Sequence, residues 1–599
     1  MPSLFTFALP HSIIIIKEFK MLEKYIKTAR GQIKADLVLK NAAFVDVFSG
    51  KLNKGDIAVS GEKIVGTGEY EGVKEIDCSS FVVIPGLIDG HVHIESSSLS
   101  PEEFASLVVP RGTTAVIADP HEITNVCGFA GCEYIAEASK NVPLDVFLML
   151  PSCVPATPFE TSGATLAGRD IKKHIVKEGI FGLGEFMNYV GILNCDDDAL
   201  KKAEAALEEN KIIDGHCPSL IGKDLNAYLC AGIATDHECT GREEVEEKLS
   251  KGMYIQLRHG STARNLDNAK YITKENERRF VICTDDRHAA DLDEKGHIDD
   301  ALRQLVKMGV DPITAVRCAT LNTAECYNLK FRGGIAPFYF ADLVVVDNLK
   351  DFNAKYVIKG GRIVAEDKKP LFDVSKKYLP ANVLDTVHLR KLNADDFIIN
   401  LNGGRARAIK MTAGSLVTES LTVEVKSKDG DVVLDGDLLK LAVIERHKMT
   451  GNIGKGLLKG YGFKGGAIGL TVAHDSHNII IAGDNNKAMA DAANALRKIG
   501  GGIAVADGKD VLTLAFDVAG LMSSLPFKEV EKKLKELSET AYKMGVDSRT
   551  EAFMSLAFLA LPVIPHLKLT DKGLFDVDKF EFTSLEDKQT MFVDKNKIF

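Results

Sequence analysis

The sequence predicts an α/β fold built around a (β/α)8 TIM-like barrel, and three observations lead to this prediction. Strand-like apolar runs alternate with helical stretches between about residues 86 and 330, which is typical of parallel strands joined by helical crossovers. β-rich stretches lie on both sides of this region. Polar candidate ligands follow several different strands, and this favours a barrel over a doubly wound sheet, in which the same alternation occurs.

The central region, residues 86–330, shows the alternation as short apolar runs of strand length. We interpret as strands the runs at 114–118, 145–150, 179–184, 211–215 and 280–284. Stretches with helical character lie between them at 200–210 and 241–251. Parallel strands of this kind place the residues that follow them on one rim of the barrel.

The two flanks of the central region have a different texture. Short strand-like runs punctuated by Gly and Asn, as in hairpins, occur at 35–41, 44–47, 56–59 and 63–66. Similar runs return at 342–347 and 355–361. We therefore expect residues 31–85 and 331–380 to form one small discontinuous β domain.

The last part of the chain, residues 385–599, has the pattern of a further α/β domain. Strand-like runs at 465–470 and 478–483 accompany amphipathic helical patterns at 487–499 and 527–544. Its glycine clusters lack both the Lys-Ser/Thr of a P-loop and a GxGxxG fingerprint, so they indicate tight turns.

The first 30 residues form an N-terminal extension with an apolar run at 13–16, which is too short to span a bilayer. No basic leader or cleavage site accompanies the run, so we expect no signal peptide. A helix, a strand or a start-site extension would each explain this segment. No later segment has the apolar length of a transmembrane helix.

Composition restricts the class of partner. The chain has 599 residues, 45% of them hydrophobic and 26% charged, as in a globular protein of several domains. The net charge of -10 gives no basic footprint for nucleic acid or a membrane surface, so a small-molecule partner fits better. The 11 cysteines include no CxxC pair and predict reduced thiols in a cytoplasmic protein.

His91 and His93 end the apolar run that begins at Ile84. Residues two apart on a strand point to the same side, so both imidazoles can face one cavity and bind one metal ion. A lone His-x-His is commonly an ordinary surface pair, so the interpretation depends on ligands at the ends of later strands.

Four further candidate ligands follow later strand-like runs: Glu185, His216, His237 and Asp285. A carboxylate can bridge two divalent ions, and imidazoles with carboxylates suit zinc, manganese or iron. Two ions a few ångströms apart can hold a hydroxide that is nucleophilic near neutral pH. The sequence therefore predicts a two-metal centre.

Neighbouring polar residues leave alternatives open at these positions. Asp236 and Glu238 compete with His237 as polar rim groups, and Asp286 competes with Asp285 as the ligand. Arg287 and His288 are interpreted only as rim residues.

Asp119 and Glu122 follow the second strand-like run, on the same predicted rim. A carboxylate there can accept a hydrogen bond from a substrate NH or transfer a proton. The alternative for Asp119 is a helix N-cap, a position that Asp favours. His121 has the same ambiguity, with metal ligation as a further alternative.

The segment PGLIDGHVH at 85–93 resembles the first metal-binding strand of the amidohydrolase superfamily. Within that superfamily, the chain closely resembles the bacterial and archaeal adenine deaminases. The supporting segments are HIESS at 93–97, ADPHEITNV at 118–126, LGEFMN at 183–188, GHCP at 215–218, TDDRH at 284–288 and AHDSHN at 473–478. The resemblance covers nearly the whole chain apart from about the first twenty residues.

The resemblance implies a β-sandwich built from both flanks and a C-terminal domain particular to the family. It implies conversion of adenine to hypoxanthine and ammonia in purine salvage, by a metal-activated hydroxide at C6. It favours Mn(II) or Fe(II) over Zn(II) as the bound metal. It also implies that the protein forms a homo-oligomer, namely a dimer. Many amidohydrolases bridge their metals with a carboxylated Lys, where this chain has Glu185.

Roles within this reaction stay open for several residues. Asp285 can carry part of the proton transfer, while His237 either polarises the reacting centre or ligates. His474 and His477 form either a second metal site or, as we prefer, a cluster approaching the barrel mouth.

Three other functions are weighed against this one. Small zinc deaminases are excluded because no P-C-x-x-C occurs. A cyclic-amide hydrolase on the same scaffold and a non-catalytic binding protein remain as alternatives. The second would be marked by loss of metal ligands, and no expected ligand position is lost in this sequence.

Overall fold

A computed structural model describes residues 11–587 except for 262, 402, 414 and 416. Helix α1 (His11–Ala29) makes the described part of the N-terminal extension helical, which excludes the strand alternative there. Residues 1–10 of that extension, and the side chains of residues 11–19, lie outside the described part. No helix among the described residues is long and apolar enough to cross a membrane.

The first flank is a set of β-strands on which α1 packs. These strands are β1 (Ala35–Asp46), β2 (Lys51–Ser60), β3 (Lys63–Gly68), β4 (Gly72–Asp77) and β5 (Val82–Pro85). Tyr25 and Ala29 of α1 cover the buried residues Val38, Ala58 and Val65 of these strands.

The central strands are β6 (Leu87–Val92), β7 (Thr113–Ala118), β8 (Asp145–Leu150), β9 (Ile180–Phe186), β10 (Ile212–Gly215), β11 (Thr235–Asp236), β12 (Tyr254–Arg258) and β13 (Phe280–Cys283). Neighbours pair in parallel from β6 to β10 and from β11 to β13. Parallel bridges at Ile213–Ile233 and Val92–Asp285 join the two groups into a ring. The α/β prediction is confirmed, and the carboxyl ends of these strands meet on one face.

Short helices connect the central strands. They are α2 (Pro101–Val108), α3 (His121–Cys127), α4 (Phe129–Ser139), α5 (Gly168–His174), α6 (Tyr189–Leu193), α7 (Asp197–Glu208), α8 (Gly222–Cys230), α9 (Arg242–Ser250), α10 (Ala289–Glu294), α11 (Ile298–Lys307), α12 (Pro312–Cys318) and α13 (Leu321–Cys326). The predicted helix at 200–210 begins earlier, because Asp196 caps α7 by accepting a hydrogen bond from the Ala199 amide at 2.9 Å.

The second flank returns to the sheet of the first. Its strands are β14 (Leu343–Val346), β15 (Ala354–Lys359), β16 (Arg362–Glu366) and β17 (Lys369–Pro370). β14 pairs antiparallel with β5, with Val344 opposite Ile84, so one nine-stranded sheet contains strands from both flanks. Leu39, Val83 and Leu343 belong to its buried core.

The described residues of the C-terminal part form a second nine-stranded sheet, a small three-stranded sheet and three helices. Its elements are β18 (Gly404–Lys410), β19 (Glu419–Lys428), β20 (Asp431–Val433), β21 (Leu438–Ile444), β22 (Ile453–Lys459), β23 (Ala467–Leu470), β24 (Ile479–Gly483), α14 (Asn486–Ile499), β25 (Gly502–Ala506), β26 (Val511–Ala515), α15 (Phe527–Lys543), α16 (Met554–Ala557), β27 (Leu567–Thr570), β28 (Gly573–Asp576) and β29 (Glu581–Phe582). The glycine cluster after α14 is a turn, as predicted, since Gly500 ends the helix with φ 78°.

Short 3₁₀ turns complete the described elements, at Ile94–Ser97, Val109–Arg111, Leu266–Tyr271, Glu277–Arg279, Ala381–Val383, Ala394–Phe397 and Phe558–Ala560.

The C-terminal part lies against the carboxyl face of the central ring. The Ser523 amide donates to the carbonyl of Ser98, which follows β6, at 2.9 Å. Asn478 Nδ2 donates to the carbonyl of Thr161, which follows β8, at 2.9 Å. Asp571 Oδ1 accepts from the Thr161 amide at 2.9 Å. The Asn478 contact holds the loop between β23 and β24 close to the ends of the central strands, and the other two contacts hold the segments after β26 and β27 there.

Candidate metal centre

The His-x-His pair lies at the carboxyl end of β6, with both rings buried. The Nε2 atoms of His91 and His93 are 3.3 Å apart, as strand alternation predicts. Asp285 joins them through the backbone, because its amide donates to the His91 carbonyl at 2.9 Å and its carbonyl accepts from the His93 amide at 3.2 Å. Its Oδ1 lies 2.9 Å from His93 Nε2 and 3.7 Å from His91 Nε2.

Glu185, near the end of β9, has one carboxylate oxygen on each side of the centre. Its Oε1 lies 3.2 Å from His93 Nε2 and 3.7 Å from His91 Nε2. Its Oε2 lies 2.8 Å from His216 Nδ1 and 3.4 Å from His237 Nε2. The latter two nitrogens are 3.3 Å apart. A carboxylate between two pairs of imidazoles fits a bridge between two cations.

The donor set fits divalent cations. Groups of three such residues place one ligand atom each within 4.8 Å of one another, for example His91, His93 and Asp285. Burial disfavours the charged form of His91, but contacts with Asp214 and Glu185 outweigh it and raise its pKa to about 10. Charged groups are rarely buried together unless they are paired or coordinate metals. In the absence of metal, protons on the imidazoles balance the negative charge of the buried carboxylates, and bound cations would take their place.

Asp119 holds two of the candidate ligands in place. Its Oδ2 accepts from the Glu185 amide at 2.8 Å, and its carbonyl oxygen lies 2.8 Å from His93 Nδ1. A Cβ on Gly184 would lie 2.2 Å from Asp119 Oδ2, so this approach requires glycine. The N-cap alternative is wrong, since α3 begins after Pro120 without a side-chain cap.

His121 and Glu122 lie on α3 beside the centre. His121 Nδ1 is 3.3 Å from Glu185 Oε1, so ligation by His121 remains an alternative. Glu122 Oε1 lies 2.8 Å from His474 Nδ1, and its Oε2 contacts His477 Nε2. The two C-terminal histidines therefore reach the barrel mouth through Glu122.

Sequence reasoning missed Arg258, the last residue of β12. Its Nη1 donates to Asp285 Oδ2 at 2.6 Å and to Glu238 Oε1 at 2.5 Å. Burial opposes the ionised form of Asp285, but Arg258 holds the pKa of that carboxyl well below its usual range. The sequence did contain one indication of this role, because Arg258 is a charged residue at the end of a mostly apolar strand.

The structure decides between several alternatives for the neighbouring residues. Asp236 is engaged by Lys248, whose Nζ donates to its Oδ2 at 2.9 Å, so it does not compete with His237. Asp286 Oδ1 accepts from Ser96 Oγ at 2.5 Å, which leaves Asp285 facing the histidines. The interpretation of Arg287 as a rim residue is wrong, because it is buried and donates to Asp300 Oδ2 at 2.7 Å.

Replacing Arg258 with Met should lower both metal affinity and turnover by about tenfold to a hundredfold, the usual cost of losing a group that orients a ligand. The change leaves Asp285 and Glu238 without their shared cation. Metal titration and steady-state kinetics measure the effect. Arg264→Met is the matched control, because the Arg264 side chain is 47% exposed. Equal behaviour of the two variants would contradict the role given to Arg258.

Known proteins are similar to this chain in sequence. A model described as the amidohydrolase family matches residues 82–364, and one described as the adenine deaminase C-terminal domain matches residues 415–581. A Clostridium acetobutylicum adenine deaminase is 47% identical over 566 residues, which cover 94% of this chain and 99% of that protein. A Kosmotoga olearia adenine deaminase is 44% identical, covering 94% of this chain and 98% of that protein. The chain therefore belongs to the adenine deaminase family of the amidohydrolases.

Proposed function

We propose that this chain catalyses the hydrolytic deamination of adenine to hypoxanthine and ammonia. The observation that carries the proposal is the buried Glu185 carboxylate between two pairs of imidazoles, in a member of the adenine deaminase family. The same relatives do not favour a cyclic-amide hydrolase.

The centre would hold two divalent ions, Mn(II) or Fe(II), with Zn(II) as the alternative. His91, His93 and Asp285 would hold one ion, His216 and His237 the other, and Glu185 would bridge them. When bound, such ions lower the pKa of water so that it attacks an electron-poor carbon such as adenine C6 near neutral pH.

Proton transfer falls to Asp285 in this proposal. Its carboxyl is ionised beside Arg258, so it can accept the proton released by the attacking water and deliver it to the departing amine. His237 would act as a ligand, because its Nε2 lies 3.4 Å from Glu185 Oε2 and 3.3 Å from His216 Nδ1. Asp119 would position Glu185 through the hydrogen bond that its side chain accepts from the Glu185 backbone amide.

The direct test is ammonia release from adenine by the purified full chain loaded with Mn(II) or Fe(II). We expect one ammonia and one hypoxanthine for each adenine consumed. We also expect two bound metal ions per chain. A parallel assay with a cyclic amide separates the alternative hydrolase. A metal-loaded, folded protein that releases no ammonia from adenine would overturn the proposal.

We also propose the division into domains. Residues 31–85 and 331–380 would form a β-sandwich, residues 86–330 a (β/α)8 barrel, and residues 385–599 the C-terminal domain. The pairing of β14 with β5 and the ring of parallel strands support this division.

Assembly and location complete the proposal. We infer a cytoplasmic homodimer acting in purine salvage, and the free state of all 11 cysteines supports a reducing environment. Light scattering on the purified protein would measure the oligomeric state.

A further inference from the structure

The loop between β23 and β24 is unusual because its polar residues are buried. Its segment of interest is residues 473–478, which we call the histidine loop. His474 and Asp475 are each 3% exposed, and His477 is 1% exposed. Loops normally lie on the surface, so burial of such side chains requires partners from elsewhere in the structure.

His474 contacts the segment that follows β7, the strand next to the one that bears the His-x-His pair. Its Nδ1 is 2.8 Å from Glu122 Oε1, and Glu122 follows β7. The charge of Asp286, which follows β13, also acts on its ring. Since β7 is a neighbour of β6, the contact with Glu122 places the histidine loop beside the carboxyl end of β6. The ring is held by stacking on Phe558, with centroids 4.5 Å apart and planes at 14°.

Three buried polar atoms of this loop have no hydrogen-bond partner among the described residues. They are His474 Nε2, Asp475 Oδ2 and Ser476 Oγ. Buried polar atoms are rarely left unpaired in proteins, so the free atoms of His474 and Asp475 indicate a partner that binds there. Glu122, the partner of His474, lies 3.5 Å from His121 Nε2 through its Oε1, and His121 Nδ1 lies 3.3 Å from Glu185 Oε1. These contacts connect the loop to the candidate metal centre.

The protonation of His474 defines what its free edge offers. Burial opposes the charged ring, but Glu122 outweighs it and raises the pKa of His474 to about 9. With Nδ1–H directed to Glu122, Nε2 also carries a hydrogen and is a donor. Burial and the nearby Glu122 raise the pKa of Asp475 to about 6, so near pH 7 its carboxylate is an acceptor.

We propose that His474 and Asp475 recognise the purine ring, with His474 Nε2 donating to a ring nitrogen away from C6 and Asp475 accepting from the ring N–H. This inference rests on the proposed deamination of adenine. A free purine base presents ring acceptors and one ring N–H on the edge remote from C6, and attachment of a sugar removes that N–H. Asp475 would therefore select the free base over the nucleoside. Glu122 would act as a positioning residue that orients His474.

The test measures kcat/KM for adenine, 3-deazaadenine and 7-deazaadenine in the wild-type chain and in His474→Asn. The Asn amide replaces Nδ1 and keeps the bond to Glu122, but removes the Nε2 donor. We expect the wild type to discriminate against one deaza analogue by about tenfold to a hundredfold, as for loss of a buried hydrogen bond, and His474→Asn to lose that discrimination. His474→Gln, whose amide reaches the Nε2 position, should retain part of it.

Asp475→Asn supplies the second arm, with 9-methyladenine in place of the deaza analogues. The wild type should bind 9-methyladenine more weakly than adenine. The variant should show a smaller difference between the two, because a neutral amide oxygen accepts the ring N–H bond more weakly than a carboxylate. His566→Asn is the control, since the His566 side chain is 48% exposed. Thermal melting and metal content are measured for each variant.

Each outcome has one meaning for the inference. Unchanged discrimination in both His474→Asn and Asp475→Asn, in folded and metal-loaded protein, would overturn it. Loss of a third equivalent of metal in His474→Asn would overturn it as well, because Glu122, His474 and His477 would then form a metal site. An inactive wild type would instead refute the proposed function, which is a separate result.

Discussion

Glu185→Gln should reduce adenine turnover to below about a thousandth of the wild-type rate, because a metal centre supplies several kcal/mol of transition-state stabilisation. The two carboxylate oxygens serve different histidine pairs, with Oε1 3.2 Å from His93 Nε2 and Oε2 2.8 Å from His216 Nδ1. A neutral amide keeps the size of the side chain but presents only one oxygen and no charge. The NH2 group of the Gln side chain would point the positive end of its dipole at one of the two ions and so repel it.

Metal analysis separates the bridging role from other causes of lost activity. We expect Glu185→Gln to retain at most one equivalent of metal under conditions in which the wild type holds two. Glu209→Gln is the matched control, because Glu209 is exposed at the end of α7. Unchanged metal content and turnover in Glu185→Gln would rule out a bridging carboxylate at this position.

Asp285→Asn should lower kcat by about a hundredfold to ten-thousandfold, the range expected when a group that transfers a proton is removed. The substitution is conservative for the backbone, since residue 285 has φ 59° and Asn tolerates this left-handed region. The backbone bonds to His91 and His93 can therefore persist. What changes is the charge that Arg258 stabilises at 2.6 Å.

The kinetic pattern and the metal content together identify the role of Asp285. A fall in kcat at nearly constant KM and full metal content indicates proton transfer, whereas loss of metal indicates that ligation dominates. Asp267→Asn is the control, because the Asp267 side chain is 71% exposed. Wild-type kcat in Asp285→Asn would contradict both roles.

The central fold and the candidate ligands were accessible from local sequence. Apolar runs of strand length alternate with helical stretches, and a polar residue ending such a run must lie at a strand terminus. Glu185 and Asp285 were predicted in this way, and the structure places both beside His93. Helix boundaries were less accurate, as at α7, because the capping side chain of Asp196 sets the start.

Polar residues next to the predicted ligands were harder to interpret. Asp119 matched the preference for an N-cap, yet its side chain accepts a hydrogen bond from the backbone amide of Glu185 on β9. Arg287 looked like a rim residue but pairs with Asp300 inside the protein. A charged residue in a short segment has the same local signature whether its partner is water, a backbone amide or a distant carboxylate.

The sequence by itself determined the α/β class, the strand ends that carry imidazoles and carboxylates, and the family resemblance. Only the tertiary structure decided that Arg258 pairs with Asp285, that Asp119 supports Glu185, and that the histidine loop meets Glu122 from 352 residues away. The physical reason is that periodicity and propensity arise within one segment, whereas a hydrogen bond between two elements depends on how the whole chain packs.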